Sequence, residues 1–386
     1  MNKLFFLLVL ILSTNLSVAQ ITYENDSLFF RQKEIFEKMN VFEAWKTTRG
    51  NPEVLIGCID IGFDFYHPYL RDRLLPGYYA EGVYHTESYQ TIAHGTLVSS
   101  LMVANPQNEN GMWGLAPECK VLTASLGTIE HPFMRLMNEI KKNNPGMSDA
   151  DVVKKTGEKI NKDTLSAQQL VKPWVNFVIR STSNAIVYLV KNGVKVINMS
   201  MYTFKSEFNE AFEFARKHDV LVVIGAGNGS KEIPQTLQNR DNVIVVGAST
   251  KNDTRWEVTT GGITQGSNWG EDLDVCATSE DIAVCQPADP RFYKIKDGPT
   301  GAENISYKGI SQILRYGATS SATPIVTSLA ALVYSIAPDM TANEVKQVII
   351  DGCDDIEEEG FDIYTGYGRI NFGKTLYLVS DRKEKP

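Results

Sequence analysis

The amino-acid sequence predicts an α/β fold with a parallel central sheet covered by helices on both faces. The chain has 386 residues, of which 43% are hydrophobic, and this is enough to bury a large core. From Glu53 onward, short apolar runs alternate with amphipathic stretches. Strands that are apolar throughout are buried on both faces, as in parallel sheets whose strands are connected by helices.

Five continuous apolar runs are predicted to be the buried strands of this sheet. They are residues 54–59, 121–124, 194–199, 220–224 and 243–246.

The helices between and after these strands are predicted from their end signals. Ser206 is a candidate N-cap for an amphipathic helix, and Gly193 is a candidate stop for the preceding one. Thr341 and Glu344 have the spacing of a capping box. Residues 322–336 are apolar nearly all round, which predicts a helix in the middle of the core.

The first 19 residues have the pattern of a secretory signal peptide. Lys3 precedes the apolar run 4–12, and the small-residue site 17–19 predicts cleavage before Gln20. The apolar run is too short to span a bilayer. No later segment looks long and apolar enough to do so, so we expect no membrane span after signal cleavage and a secreted or periplasmic protein.

Charge and cysteine content exclude some classes of function. The net charge is −8 and no basic stripe is present, so we expect no nucleic-acid partner. The five cysteines lack metal-site spacing. Three of them lie in apolar contexts, whereas Cys276 and Cys285 could bridge a local loop or remain free.

Four polar residues are placed where an α/β fold collects reactive groups. Asp60 closes the first predicted strand and Asn228 follows a later one, and such strand ends meet at one edge of a parallel sheet. His94 begins a helical stretch, and Ser320 lies at the start of the apolar helix. Each alone has a simple structural explanation, such as a turn or a helix cap. Together they are a candidate set for nucleophilic catalysis.

The motifs around these residues resemble those of the subtilisin-like serine proteases, the subtilases. They read D-I-G at Asp60, H-G-T at His94 and A-T-S-S-A-T-P around Ser320. The order Asp, His, Ser along the chain is that of subtilisin. Ala322 and Pro324 match the Ala and Pro of the last motif, which makes Ser320 the nucleophile. Further matching stretches are residues 114–117, 196–200, 226–228, 242–248 and 366–371.

The resemblance covers residues 44–378 and implies one subtilisin-like catalytic domain. The signal peptide (1–19) and a short segment (20–43) precede it, and a polar tail (379–386) follows it. The segment 20–43 is too short to be the propeptide that usually guides folding in this family. A polar insert at 130–172 is either a solvated embellishment or a lid that takes over a regulatory role.

The resemblance implies an exported serine endopeptidase that forms an acyl-enzyme on Ser320. His94 would be the general base and Asp60 would orient it. The Asn228 amide and the Ser320 backbone N–H would form the oxyanion hole. All four catalytic positions are filled.

The resemblance also implies an extended protein or peptide substrate that adds to the fold as a strand. The residues expected to flank its pocket are Ser200, Met201, Tyr202, Gly225, Ala226 and Gly227. Tyr202 stands where the family usually has Gly, so we expect a preference for small side chains or a blocked pocket. Three milder departures are Ile61, Leu97 and Ala318.

The proposed chemistry requires no cofactor, but many subtilases bind calcium in the loop that residues 105–114 resemble. Asn108 could serve as a ligand there. Tyr69, however, occupies a position where a carboxylate is common, which weakens the case because calcium needs several oxygen ligands.

Two other classes of function compete with this interpretation. Residues 368–375 read G-R-I-N-F-G-K-T, a formal P-loop match that lacks a predicted strand before it. The stronger alternative is a catalytically silent subtilase fold that serves as a binding or scaffold protein. Tyr202 and the missing propeptide favour that alternative.

Overall fold

The structure is a computed structural model. It describes residues 27–80, 94–106, 111–126, 132–148, 151–152, 154–155, 158–159, 164–200, 206–236, 240–260, 263–285, 304–307, 311–314 and 318–384. The predictions for the signal peptide (1–19), Asn108, Met201 and Tyr202 lie outside the described residues.

The centre of the fold is a seven-stranded sheet in which all neighbouring strands are parallel. In spatial order its strands are β2 (Leu74–Tyr79), β3 (Lys120–Ser125), β1 (Leu55–Asp60), β4 (Val196–Met199), β5 (Leu221–Gly225), β6 (Val243–Ser249) and β9 (Val275–Thr278). The five predicted strands are confirmed as β1, β3, β4, β5 and β6. The edge strands β2 and β9 were not predicted.

Smaller antiparallel elements lie outside this sheet. One is a hairpin of β7 (Glu257–Thr260) and β8 (Ile263–Gly266). The other is a three-stranded sheet in the order β10 (Ile282–Cys285), β12 (Ser311–Leu314) and β11 (Asn304–Tyr307).

Helices cover both faces of the central sheet, as the sequence predicts. The described helices are α1 (Ser27–Lys38), α2 (Val41–Ala44), α3 (His94–Val103), α4 (Pro132–Asn143), α5 (Thr164–Lys191), α6 (Asn209–Lys217), α7 (Thr319–Ile336), α8 (Ala342–Asp351) and α9 (Phe372–Glu384). Helices α3 and α7 pack on one face, and α5 and α6 pack on the other. Alternate strand residues serve the two faces: Val196 faces α7, whereas Ile197 faces α5.

Two of the three predicted helix ends are confirmed. Ser206 is not the N-cap of α6: it begins a single 3₁₀ turn, and Phe208 occupies the cap position without a side-chain hydrogen bond. Gly193 follows α5 with a left-handed φ of 79°. The Thr341 hydroxyl accepts from the Glu344 backbone N–H, and the Glu344 carboxylate accepts from the Thr341 N–H, so the capping box is complete.

Helix α7 corrects one expectation about membrane segments. By length and hydropathy alone this helix could cross a membrane, although we expected no such segment after the signal peptide. In the fold, 83% of its 18-residue window is buried. It packs against α3 and the strands of the central sheet, so its apolar surface is core.

Helix α1 lies in the segment 20–43 and is packed into the same core. Gln32, Phe36 and Met39 are each at most 1% exposed. The Gln32 side chain donates from Nε2 to the Trp113 carbonyl at 2.9 Å and accepts at Oε1 from the Trp113 N–H at 2.9 Å. Helix α1 therefore packs into the same hydrophobic core as the helices and strands that follow residue 44.

We expect Gln32→Leu to lower the free energy of unfolding by about 2 kcal/mol or more, because it leaves a buried N–H and a buried C=O of Trp113 without partners. Urea denaturation would measure the change. The control is Lys33→Gln on the same helix, whose side chain is 51% exposed and should change stability by less than about 0.5 kcal/mol. Equal effects of the two changes would contradict this account of α1.

All five cysteines are buried and none forms a disulfide. The local bridge considered for Cys276 and Cys285 is therefore not formed. Burial raises the pKa of the Cys276 thiol to about 12, so it is protonated at neutral pH.

The P-loop interpretation of residues 368–375 is wrong. Helix α9 begins at Phe372, in the middle of the motif, so the residues that would cradle a phosphate are partly helical. The Lys374 ammonium is already bound, since it donates to the Cys353 carbonyl at 2.8 Å and to the Asp354 carboxylate at 3.1 Å.

Candidate active site

Asp60 and His94 form a hydrogen-bonded pair at the carboxyl end of β1. The Asp60 side chain is fully buried, and the His94 side chain is 29% exposed. His94 Nδ1 lies 2.8 and 2.9 Å from the two carboxylate oxygens of Asp60, and the Ile61 N–H donates to Oδ1 at 2.7 Å. A carboxylate only accepts hydrogen bonds, so Nδ1 carries a proton and Nε2 of neutral His94 presents a lone pair.

Two opposing influences act on the pKa of the His94 imidazole. Burial lowers it, but the charge of Asp60 and the hydrogen bond to it raise it by more. The pKa therefore lies above the ordinary value of 6.5. A general base with a raised pKa becomes competent at a higher pH than an ordinary imidazole does.

The H-G-T motif fixes the start of helix α3 against the loop that follows β1. The Gly95 N–H donates to the Ile61 carbonyl at 2.8 Å, and the Thr96 N–H donates to the Gly62 carbonyl at 3.0 Å. These bonds satisfy donors that the first turn of a helix leaves unpaired. A Cβ at Gly95 would lie 2.7 Å from the Phe63 ring, so only Gly fits here.

Ser320 is the second residue of helix α7, with its backbone N–H at the helix N-terminus. Within the described residues this N–H has no acceptor. The Ser320 hydroxyl donates to the Ser200 carbonyl at 3.0 Å, and the Ser200 hydroxyl donates to the Ser320 carbonyl at 3.0 Å. In this structure the candidate nucleophile is thus hydrogen-bonded to Ser200 and not to His94.

The two hydrogen-bonded pairs are carried by neighbouring strand ends. Strands β1 and β4 are adjacent, and Ile59 is paired with Met199. Asp60 follows Ile59, and Ser200 follows Met199. Asp60, which binds His94, and Ser200, which binds Ser320, therefore lie at adjacent positions at one edge of the sheet. Helix α3 also packs against helix α7, and His94 and Ser320 lie in the first turns of these helices.

Asn228 is oriented by Thr319. Its Oδ1 accepts from the Thr319 N–H at 3.0 Å and from the Thr319 hydroxyl at 2.9 Å, and the Gly227 N–H donates to that hydroxyl at 3.2 Å. Because the Thr319 N–H requires an acceptor, these bonds fix which end of the amide is oxygen. The Asn228 Nδ2 has no acceptor among the described residues, so it is an available donor next to the N-terminus of α7.

Gly225 and Gly227 allow β5 and its following turn to approach α7. A Cβ at Gly225 would lie 2.9 Å from the Thr323 hydroxyl oxygen. Gly227 has a left-handed φ of 94°, and the Ala226 N–H between them donates to the Val246 carbonyl at 2.8 Å. All three residues thus help to place Asn228, in addition to the pocket role expected for them.

The structure explains why three departures from the family motifs are tolerated. Ala318 is extended, with φ −132° and ψ 175°, which any residue adopts, so Gly is not needed there. Ile61 is partly buried against the core and uses only its backbone N–H toward Asp60. Leu97 packs against the part of the core that lies between the sheet and helices α3 and α7.

Sequence reasoning overlooked Asn198, which is fully buried beneath this site. Its Nδ2 donates to the Ser200 hydroxyl at 3.0 Å, and its Oδ1 accepts from the Thr327 hydroxyl at 3.0 Å. An amide inside the otherwise apolar strand β4 was the available signal, because a buried polar group is costly unless it is hydrogen-bonded.

The Tyr69 side chain lies beneath the described part of the candidate calcium loop. An atom added at the Cβ position of Gly111 would lie 2.6 Å from the Tyr69 hydroxyl oxygen, so the Tyr69 ring fills the space beneath the loop. The Asn105 N–H donates to the Tyr69 carbonyl at 3.0 Å. Across the described residues, no group of three or more His, Cys, Asp or Glu side chains could hold a metal.

Comparison with known proteins identifies relatives of this chain. It is 26% identical to a thermophilic serine proteinase of Bacillus sp. (strain AK1) over 85% of its own length and 63% of the relative's length. It is 22% identical to thermitase of Thermoactinomyces vulgaris, over 91% of its own length and 98% of thermitase.

A solved structure shows the same fold. The crystal structure of fervidolysin from Fervidobacterium pennivorans, a keratinolytic enzyme related to subtilisin, matches 87% of this chain and 44% of that chain, with a TM-score of 0.58 and 21% sequence identity. At this identity the match supports the subtilisin-like fold alone. The family model described as "Subtilase family" matches residues 51–368, which include every described residue of the candidate site. The chain therefore belongs to the subtilase family.

Proposed function

We propose that the chain is an exported serine endopeptidase that hydrolyses peptide bonds through an acyl-enzyme on Ser320. The observation that carries this proposal is the Asp60–His94 pair, whose buried carboxylate binds Nδ1 and leaves Nε2 of His94 as a base at the sheet edge where Ser200 also lies. Membership of the subtilase family supports the same reaction class.

The first step begins with rotation of the Ser320 hydroxyl from the Ser200 carbonyl toward His94. Nε2 takes the hydroxyl proton while Oγ bonds to the substrate carbonyl carbon. The carbonyl oxygen then carries the negative charge, and the Asn228 Nδ2 and the Ser320 N–H are the available donors for it. The N-terminal end of the α7 dipole stabilises the same charge.

The remaining steps return the protons. The His94 imidazolium gives its proton to the leaving amine as the C–N bond breaks, which leaves the acyl group on Ser320. A water molecule then loses a proton to His94 and attacks the ester, and His94 finally reprotonates Ser320. Asp60 stays ionised throughout and stabilises the imidazolium.

The proposed substrate is a protein or peptide bound in an extended conformation along the strand ends. Ser200, Met201 and Tyr202 would flank one side of its pocket, and residues 225–227 the other. We propose that the Tyr202 ring limits this pocket to small side chains. Secretion or location in the periplasm, directed by residues 1–19, is part of the same proposal.

The proposed chemistry requires no metal, but two relatives are named calcium-dependent proteases. A calcium requirement in this chain would depend on Asn108.

A catalytically silent scaffold is the second candidate function. The hydrogen bond from the Ser320 hydroxyl to Ser200 favours it, because a nucleophile held in this way is not activated. Incubation with a fluorophosphonate probe discriminates the two candidates. A peptidase is labelled on Ser320 with one probe per chain, whereas a folded chain that stays unlabelled would support the scaffold.

Asn228→Ala is expected to lower kcat by about 10²- to 10³-fold, because it removes one of the two donors to the oxyanion. KM should change little, since the charge develops only in the transition state. Steady-state kinetics with a chromogenic peptide would measure both constants. The control is Asn268→Ala, which removes a buried amide that bonds to the loop carrying Asn228. It should lower the melting temperature and reduce kcat by much less than Asn228→Ala does. A rise in KM with kcat unchanged in Asn228→Ala would contradict the oxyanion role.

A further inference from the structure

A chain of buried hydrogen bonds connects the interior of helix α7 to the backbone of Ser320. It runs from the Thr327 hydroxyl to Asn198 Oδ1, from Asn198 Nδ2 to the Ser200 hydroxyl, and from that hydroxyl to the Ser320 carbonyl. Each of these three contacts is 3.0 Å long. Asn198 and Thr327 are fully buried, and Ser200 is 5% exposed.

The chemistry of the groups determines the direction of the two bonds nearest Ser320. The single hydrogen of the Thr327 hydroxyl is shared between Asn198 Oδ1 at 3.0 Å and the Thr323 carbonyl at 2.9 Å. Asn198 Nδ2 can only donate, so the Ser200 hydroxyl oxygen accepts and its single hydrogen is left for the Ser320 carbonyl. The Asn198 amide therefore determines the orientation of the Ser200 hydroxyl. The Ser200 hydroxyl in turn holds the carbonyl of the residue that carries the proposed nucleophile.

The location of Asn198 makes this arrangement unusual for a purely structural residue. Strand β4 is buried throughout, and its other three residues (Val196, Ile197 and Met199) are apolar. A buried amide is costly to desolvate, and an apolar residue of similar size would stabilise the strand at lower cost. The two polar ends of the side chain join β4 to α7 at the point where these two elements carry Ser200 and Ser320.

We propose that Asn198 is a positioning residue for Ser320, acting through Ser200. The inference rests on the proposed function, in which Ser320 is the nucleophile. Proton transfer and attack require the hydroxyl within a few tenths of an ångström of its working position, and small misplacements cost rate without changing substrate binding.

The test compares two variants that each lose a buried amide from the central sheet. Asn198→Leu removes both hydrogen-bonding groups at nearly constant volume. Asn242→Leu is the matched control: Asn242 is 2% exposed, precedes β6 at the opposite, amino end of the sheet, and donates Nδ2 to the Val220 carbonyl at 2.9 Å. Both variants should melt at a lower temperature than the wild type.

The two variants should differ in kinetics, measured well below both melting temperatures. We expect Asn198→Leu to lower kcat by about 10- to 100-fold with KM within about twofold of the wild type, and to slow fluorophosphonate labelling of Ser320 by the same factor. Asn242→Leu should leave kcat and the labelling rate within about twofold of the wild type.

A second variant covers the case in which Asn198→Leu does not fold. Thr327→Val removes only the first hydroxyl of the chain and releases Asn198 Oδ1, so kcat and the labelling rate should fall together by about 3- to 10-fold. An unchanged labelling rate in a folded Asn198→Leu chain, or in Thr327→Val, would overturn this inference but not the proposed function. A wild-type chain that fails to react with the probe would overturn the proposed function and the inference with it.

Discussion

Ser320→Ala should lower kcat by about 10⁶-fold, which is the loss expected when the nucleophile of a Ser-His-Asp site is removed. Without its Oγ, the chain cannot form an acyl-enzyme, and only the oxyanion donors and substrate binding remain to stabilise the transition state. The substitution also removes the hydrogen bond to the Ser200 carbonyl, which has no role in the transition state proposed here. Stability should therefore change by far less than activity.

The neighbouring serine provides the control for this substitution. Ser321 lies in the same motif and is 6% exposed, and its N–H donates to the Ala318 carbonyl at 2.8 Å. Its backbone bond survives replacement by Ala, so Ser321→Ala should retain activity within about tenfold of the wild type. Activity would be measured by single-turnover hydrolysis and by labelling with the fluorophosphonate probe. An inactive Ser321→Ala and an active Ser320→Ala would mean that Ser321, and not Ser320, is the nucleophile.

Asp60→Asn should lower kcat by about 10⁴-fold. The carboxylate accepts from His94 Nδ1, whereas an amide can present its NH₂ group to the ring and stabilise the tautomer in which Nε2 carries the proton. That tautomer cannot accept the Ser320 proton. The amide also removes the negative charge that stabilises the imidazolium formed during attack.

The same variant should shift the pH dependence of kcat/KM in a defined direction. In the wild type, activity rises as His94 loses its proton, at a pH above the ordinary imidazole value of 6.5. Asp60→Asn removes the charge that raises this pKa and leaves burial, which lowers it, so the acid limb should move to lower pH. A pH series with a sensitive chromogenic substrate measures the residual activity. An acid limb at the same or higher pH would contradict the pairing of Asp60 with His94.

Protonation of His94 is expected to have opposite effects on the stability of the fold and on activity. Because the folded-state pKa of His94 is raised, the pair adds stability that is fully present below the unfolded pKa of about 6.5 and is lost as pH rises through the folded value. The neutral base required for catalysis appears over the same interval. In the proposed mechanism, the neutral base therefore forms over the pH interval in which the ion pair ceases to stabilise the fold.

Much of the fold was predictable because the buried strands are continuous apolar runs. Apolar residues dominate β1, β3, β4, β5 and β6, although β4 also contains the buried amide of Asn198. Strand β2 was missed because Pro76 and Gly77 interrupt its pattern, as is tolerated at a sheet edge. Helix α1 was missed because its buried Gln32 reads as a surface residue, and its partner Trp113 is 81 residues away in the chain.

In the candidate site, too, residues within short motifs could be predicted, whereas contacts between residues far apart in the chain could not. Asp60, His94, Asn228 and Ser320 are recognisable from short motifs whose neighbours fix their backbone, such as Gly95 against the Phe63 ring. No short motif reports that the Ser320 hydroxyl bonds to Ser200, because that contact joins residues 120 positions apart. The link from Asn198 to Thr327 spans 129 positions and was equally hidden.

Because all five thiols are free and buried, no disulfide contributes to the folding free energy of the domain. A disulfide-reducing agent should therefore leave that free energy unchanged. The native chain also offers no reactive sulfur to alkylating dyes, because every thiol is enclosed and burial favours its protonated form. A fluorophore attached through one introduced surface cysteine would therefore report from a single chosen position.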